Sequence, residues 1–483
     1  MNTFKRKSLH AAVLAGLGAV GMAGTANAVH VNPDGTGSVL IFPYYTARAD
    51  GGGTSTAYYA NYISLVNTTN STKAVKVRFL EGKNSREVLD FNLFLSPQDV
   101  WTGAVFRTTD GAGLVSADNS CVVPTALFAE KDPTKLTSGS LNHFKNFAYA
   151  PLNDGGGTTL DRTREGYLEI IEMGDVTNTT ATAAAKHNSA GVPGNCAYFQ
   201  ANDPEASMTP QLSRPTGGLY GGMSIINVTA GTDYSYDAVA LDQWSDTVRY
   251  TRAGALGPDI GQASPSVSNV FTSGGVVSST WANARDAVSA TLSHSSVMNE
   301  WMLDSGTASG TDWVVTFPTK KLYVNVGTGV AAAPFNANFN NGTSCDVFSL
   351  SFWNREEATT TFVPTVLPSP EPTIPVTVNT FCYEANVLTF ANSNMLGSEN
   401  KYSFDPTGLG RNGQAQITFN APVQVLTGPV SSTLNGGASA PLKHFGLPVV
   451  GFAIQDFSNG NVNGVASNYG GLFVHKYRRT LLP

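Results

Sequence analysis

The chain has 483 residues, 41% hydrophobic and only 13% charged, with a net charge of −6. Disorder is excluded, because it needs low hydrophobicity and high net charge. Nucleic acid is excluded as a partner, because a mildly acidic chain with scattered Lys and Arg offers no basic footprint for a phosphate backbone.

Lys5, Arg6 and Lys7 precede a short apolar stretch, Ala11–Met22, and Ala26-Asn27-Ala28 supplies the small-residue pattern of signal-peptide cleavage. An apolar run of about twelve residues cannot span a bilayer core of roughly 30 Å as a helix. The expectation is a signal peptide over residues 1–28, cut between Ala28 and Val29. The mature chain is then placed at the cell surface or in the extracellular space, with the periplasm as a further location. Its net charge moves to −9, because the leader carries three cations and no acid. No later stretch approaches ~18 apolar residues, so no transmembrane segment is expected in the mature chain.

Strand patterns follow. Ser38–Arg48 is β-branched and aromatic, and Thr56–Asn67 comes after a Gly-rich turn. In the next run Val75, Val77 and Phe79 alternate with Lys76 and Arg78, which predicts a half-buried antiparallel strand. Arg86–Phe106 reads as two strands joined by a turn at Ser96-Pro97-Gln98-Asp99. Glu165–Val176 is bracketed as a strand by Gly166 and Gly174, and Val176–Asn195 reads as a long polar loop pinned by Cys196. Gly221–Gly231 and Asp233–Trp244 form another strand pair. Thr280–Leu292 has the three- and four-residue spacing of a helix, leading through a crossover into Asn299–Val324. Pro364–Val376 is Pro-rich and favours an extended excursion. Three further strands close the chain.

The fold class expected is all-β, mainly antiparallel β-sandwich with Ig-like elements, few short helices and long loops. The division expected is an N-terminal sandwich over 29–215, with a long disulfide-tied loop, and a second β-rich domain over 216–483. Cys121, Cys196, Cys345 and Cys382, without any CxxC, predict two disulfides in an oxidising compartment. The pairing Cys121–Cys196 and Cys345–Cys382 keeps each bridge within one half of the chain.

Catalytic motifs are missing from the sequence. No HExxH, GxSxG or GxxxxGK[ST] occurs, no GxGxxG leads from a strand into a helix, and no His pair has zinc-site spacing. His187, in a polar loop, and His475, in a basic tail, read as solvated. No cofactor is expected. Calcium is the alternative reading of the loops at Asp34-Gly35, Asp50-Gly51, Asp110-Gly111 and Asp154-Gly155. Without a DxDxDG cluster these pairs read as turns. Glu300, Asp304 and Asp312 are the acids close enough in sequence to suggest glycoside cleavage, which requires a fixed carboxylate separation. Ion pairs with Lys320 or Lys321 are the competing reading. In the strand after the loop, Trp313, Val315 and Phe317 alternate with Asp312, Val314 and Thr316. Trp301, Asp304, Asp312 and Trp313 are therefore the candidate binding surface. Tyr44, Tyr45, Tyr58, Tyr59 and Tyr62 form a second aromatic group, with packing as the main expectation and ligand contact as the other.

Several segments together, "VNPDGTGSVLIFPYYTAR", "AVKVRFLEGKNSREVLDFNLFLSPQDVW", "YSYDAVALDQW", "MNEWMLDSGTASGTDWVVTFPTKKLYV" and "GLPVVGFAIQDF…SNYGGLFVHK", resemble a group of exported Gram-negative proteins described only as cell-surface proteins. The likeness runs over almost the whole mature chain. It implies an envelope or extracellular location and no chemistry. Two functions are expected on this basis. The first is a non-enzymatic surface component, structural or adhesive, whose partners are other surface proteins, glycans or copies of itself. The second is a carbohydrate-binding or glycan-cleaving protein. An outer-membrane barrel fits poorly with the continuous apolar runs and the Pro-rich excursion.

Overall fold

Strand makes up 47% and helix 10% of the computed structural model. That is about twice the strand content of an average globular protein, and the fold is all-β. The structure describes residues 27–52, 55–132, 134–135, 138–362, 379–391, 393–419 and 423–483. Residues 1–26 of the expected signal peptide, and the Pro-rich stretch 364–376 expected to be extended, lie outside the described residues.

The first half supplies β1 (Val39–Thr46), β2 (Ala60–Asn67), β3 (Thr72–Glu81), β4 (Glu87–Leu95), β5 (Val100–Arg107) and β6 (Glu165–Val176), then helix α1 (Thr179–Ala185). There follow β7 (Leu219–Asn227), β8 (Thr232–Asp237), β9 (Val239–Asp242), helix α2 (Ala284–Leu292), β10 (Ser296–Met302) and β11 (Gly310–Thr316). The remaining long strands are β12 (Asp346–Asn354), β13 (Ala385–Phe390), β14 (Asn412–Phe419), β15 (Val450–Val462) and β16 (Val465–Val474).

Four large sheets result. The first has the order β9-β1-β6-β3-β4 at its centre and the second β8-β7-β2-β5. Leu40, Phe42, Val75, Val77, Phe79, Leu168 and Ile170 of the first sheet pack on Ile63, Leu65, Trp101, Val105 and Ile225 of the second. Because β7 and β9 pair with β2 and β1, this sandwich extends to Asp242. The division expected at 215 falls inside it. The third sheet, β13-β11-β15-β16, belongs to two cores. Val314, Val387, Phe452 and Ile454 join the first core. Trp313, Val315, Leu388, Phe390 and Ala453 face the fourth sheet, β12-β14-β10, across a second core that also takes Val288 and Leu292 of α2. The alternation of Asp312–Phe317 is thus the physical means by which one strand serves two cores.

Three local expectations are corrected. The Lys76/Arg78 side of β3 is not solvated: both residues are buried. Lys76 Nζ donates to Asp90 and the Arg252 carbonyl, and Arg78 to Glu87, Glu169 and the carbonyls of Leu256 and Pro258. A segment remote in sequence covers this face, and acids on neighbouring strands compensate the charge. The expected loop at Val176–Asn195 contains α1, because the Asn178 side chain caps it by accepting from the N–H groups of Thr180 and Ala181. The helix expected over Thr280–Leu292 begins only at Ala284, residues Gly275–Trp281 being strand, but it ends at Leu292 and leads into the Asn299–Val324 segment through β10 as expected.

Both disulfides join the expected partners, Cys121–Cys196 and Cys345–Cys382. They fit an oxidising compartment. No helix among the described residues is long and apolar enough to cross a membrane.

Candidate functional site

Asn299–Val324 forms a strand, a turn and a strand belonging to two different sheets. Trp301 and Trp313 lie buried between those sheets, so they are core side chains and not a surface. Trp313 Nε1 donates to the Glu300 carbonyl at 3.0 Å, tying β11 to β10. Glu300 is exposed on the outer side of β10, Asp304 is exposed in the turn, and Asp312 is fully buried on the other face of β11. Glu300 and Asp312 therefore point away from each other across two sheets stacked roughly 10 Å apart. Glu300 does not converge with Asp312, and among the described residues the expected ion pairs with Lys320 and Lys321 do not form. Lys320 Nζ donates to the Ser344 and Phe381 carbonyls beside Asp346, and Lys321 pairs with Glu169.

His475 is another correction. It is buried against Trp313, with ring centroids 5.1 Å apart, and its Nε2 contacts the Val314 carbonyl at 2.9 Å. Burial pushes its pKa down to about 4, so it is neutral at physiological pH.

What the structure does bring together around Asp312 is a set of acids that sequence spacing does not reveal. Asp312 accepts from Ser393 Oγ at 2.5 Å and from Leu396 N–H at 3.0 Å. Burial pushes its carboxyl up to about 6, and the charge of Asp50 adds to the rise. Asp50 is also pushed up to about 6, by burial and by Asp456. Among the described residues no group of three or more His, Cys, Asp or Glu side chains is arranged to hold a metal ion. Asp154, one of the Asp-Gly acids, serves an ion-pair hub. Burial alone would raise its pKa, but hydrogen bonds from Arg162 at 2.6 and 2.7 Å hold it down to about 2.

A cleft of about 890 Å³ separates the Arg78 side of the first sheet from the Lys321–Gly327 segment. Its cations are engaged within the protein: Arg78 by Glu87 and Glu169, Lys321 by Glu169, and Arg86 by Asp154. Buried Glu384 on its wall is pushed up to about 8 by desolvation.

The outward face of the second sheet carries exposed aromatic side chains. Every second residue of β2 turns inward, leaving Tyr62, Ser64 and Val66 outside. Register places Val66 between Val100 and Tyr220, Ser64 between Thr102 and Gly222, and Tyr62 between Ala104 and Ser224. Phe106 extends the row, and Tyr62 and Tyr220 are 48% and 43% exposed, far above a packed ring. A shallow groove of about 430 Å³ runs past Tyr62 between Ser64, Gly222, Ser224, Ser235 and Asp237. Gly222 keeps it open: a side chain there would begin 3.2 Å from the Tyr236 carbonyl. Of the N-terminal tyrosines, Tyr44, Tyr45 and Tyr59 are buried, while Tyr58 and Tyr62 are exposed. Alternation within 60–67 was the available signal for Tyr62. Tyr220 carries the same signal, and sequence reasoning passed over it. Compared with known proteins, the chain matches no family model, no curated protein and no solved structure.

Proposed function

We propose that this chain is an exported, non-enzymatic β-sandwich protein of the cell surface or extracellular space, with a structural or adhesive role. The observation that carries the reading is the outward face of the second sheet, where Tyr62, Val100, Phe106 and Tyr220 stand in solvent beside Ser and Asp side chains. Aromatic and apolar side chains standing in solvent among polar groups mark an interaction surface. Two disulfides support a site of action in an oxidising compartment. Protease treatment of intact cells, with immunodetection of the mature chain, tests the location. Degradation without lysis is the expected result, and complete protection contradicts surface display.

A second reading, that the partner is a glycan, is favoured by the groove past Tyr62. A flat aromatic ring stacks on the apolar face of a sugar, and the flanking Ser64, Ser224, Ser235 and Asp237 offer donors and acceptors for hydroxyls. Binding of the purified chain to an array of neutral and acidic oligosaccharides supports this reading. Silence across the whole array retires it. Glu300 faces away from Asp312, so glycan cleavage is not proposed for that pair of acids.

A further inference from the structure

At the end of the first core, where β3 begins and β6 ends, one lysine sits among two acids and a threonine. Lys73 and Asp175 are direct cross-strand partners. Lys73 Nζ lies 2.6 Å from Asp175 Oδ1, 2.9 Å from Glu172 Oε1 and 2.7 Å from Thr216 Oγ1. The side chains of Lys73 and Glu172 have no solvent exposure at all, and that of Asp175 is 8% exposed. Among the described residues no other lysine amine is hydrogen-bonded to two carboxylates: Lys76 has Asp90 and a backbone carbonyl, and Lys321 has Glu169.

The two acids are held differently. Glu172 accepts backbone N–H groups on both oxygens, from Thr216 at 3.1 Å and Gly217 at 2.8 Å, so it is fixed in place. Asp175 Oδ2 accepts from the Thr216 hydroxyl, at 2.8 Å. Burial pushes Glu172 up to about 8, against the pull of Lys73, so this carboxyl exchanges a proton readily near neutral pH.

We propose that Lys73 Nζ and Asp175 Cγ condense into an intramolecular amide cross-link, with Glu172 as the proton relay. One proton passes from the Lys73 ammonium through Glu172 to Asp175 Oδ1, leaving a neutral amine and a neutral acid. The Nζ lone pair attacks Cγ, forming the N–C bond, and charge develops on Oδ2, where the Thr216 hydroxyl donates to it. Glu172 takes a second proton from Nζ and returns it to Oδ1. The Cγ–Oδ1 bond breaks with its electron pair and water leaves. One ammonium and one carboxylate become one secondary amide and one water, and Glu172 and Thr216 are unchanged. Two effects drive the step. Fixing amine and acid in contact supplies a large effective molarity, and the neutral amide removes two charges from a site that solvates them poorly. Arg162 and Arg78, in the other buried acid clusters, have no equivalent reaction because a guanidinium does not lose its proton in proteins.

Intact-mass spectrometry of the purified, folded, signal-free protein, reduced and denatured immediately before measurement, tests this. The expected mass is about 18 Da below that of the reduced sequence, the loss of one water. A proteolytic digest should contain a branched peptide joining residue 73 to residue 175. Lys73→Arg, which keeps the charge, and Glu172→Gln should both show the full mass of their own reduced sequences, and unreduced samples should show that both disulfides have formed. A full mass in folded wild type overturns the proposal and leaves an ordinary buried ion triad. A loss that persists in Lys73→Arg also overturns it, since that water then comes from elsewhere, such as an Asp-Gly succinimide.

Discussion

Replacing Asp312 by Asn should stabilise the protein at neutral pH. Asp312 is fully buried beneath the Ser393–Leu396 turn, facing the first core with Val314. Asp50 adds to its electrostatic cost, and Asp456, Tyr59 and Tyr234 interact with the same acids. Its folded pKa of about 6 lies above the ordinary 3.8. A rise of about two units costs about 3 kcal/mol once the carboxyl is ionised, at 1.36 kcal/mol per unit. The sign follows from linkage. A carboxyl with a raised folded pKa contributes most below its unfolded pKa, and that contribution is lost as pH climbs from about 4 through about 6. Asn keeps an acceptor for Leu396 N–H and offers a donor toward Ser393, without the charge. Chemical unfolding of wild type and Asp312→Asn at pH 7.5 and pH 4.5 is the assay. The variant should gain roughly 1–3 kcal/mol at the higher pH, the upper end being the full ionisation cost, and the gain should shrink at the lower. An equal change at both pH values, or a loss at pH 7.5, refutes the reasoning.

Other substitutions test the frame. Arg162→Met leaves Glu81 buried without a cation and Asp154 with Arg86 alone, and should cost about 3–5 kcal/mol by chemical denaturation; a cost below about 1 kcal/mol would mean water already reaches the hub. Trp313→Ala empties a site between two sheets and frees the Glu300 carbonyl. The expected cost is again about 3–5 kcal/mol, with exposed hydrophobic surface visible by dye binding. Replacing Cys345 and Cys382 by Ser opens a link spanning 37 residues. The chain-entropy account predicts a loss of about 4 kcal/mol, read as a lower denaturation midpoint than wild type under non-reducing conditions.

Strand periodicity made much of the fold legible. Glu165–Val176 is β6 as expected, and the alternation from Asp312 to Phe317 correctly separated Trp313 from Asp312. Keeping each disulfide within one half of the chain also gave the observed pairs. The misreadings share a cause: covering elements come from far away in sequence. Lys76 and Arg78 have the pattern of a solvated face, but residues 252–258 close over them and Asp90, Glu87 and Glu169 neutralise them. His475 follows β16 in a basic tail, yet sheet pairing carries it under Trp313. The same holds for the site. Tyr62 and Tyr220 are 158 positions apart, and only the register of β2 on β7 brings them to one face. The aromatics nearest in sequence to the candidate acids, Trp301 and Trp313, were the ones the core had taken.

The claim that the second sheet's outward face makes the functional contact is tested most directly by comparing wild type with the Tyr62→Ala/Tyr220→Ala double variant. Both side chains point away from the core, so the two proteins should share one thermal midpoint. Binding to whichever cells or glycans the wild type recognises should fall at least about tenfold, the equivalent of 1.4 kcal/mol for loss of aromatic anchors. Undiminished binding by the folded double variant would contradict the account.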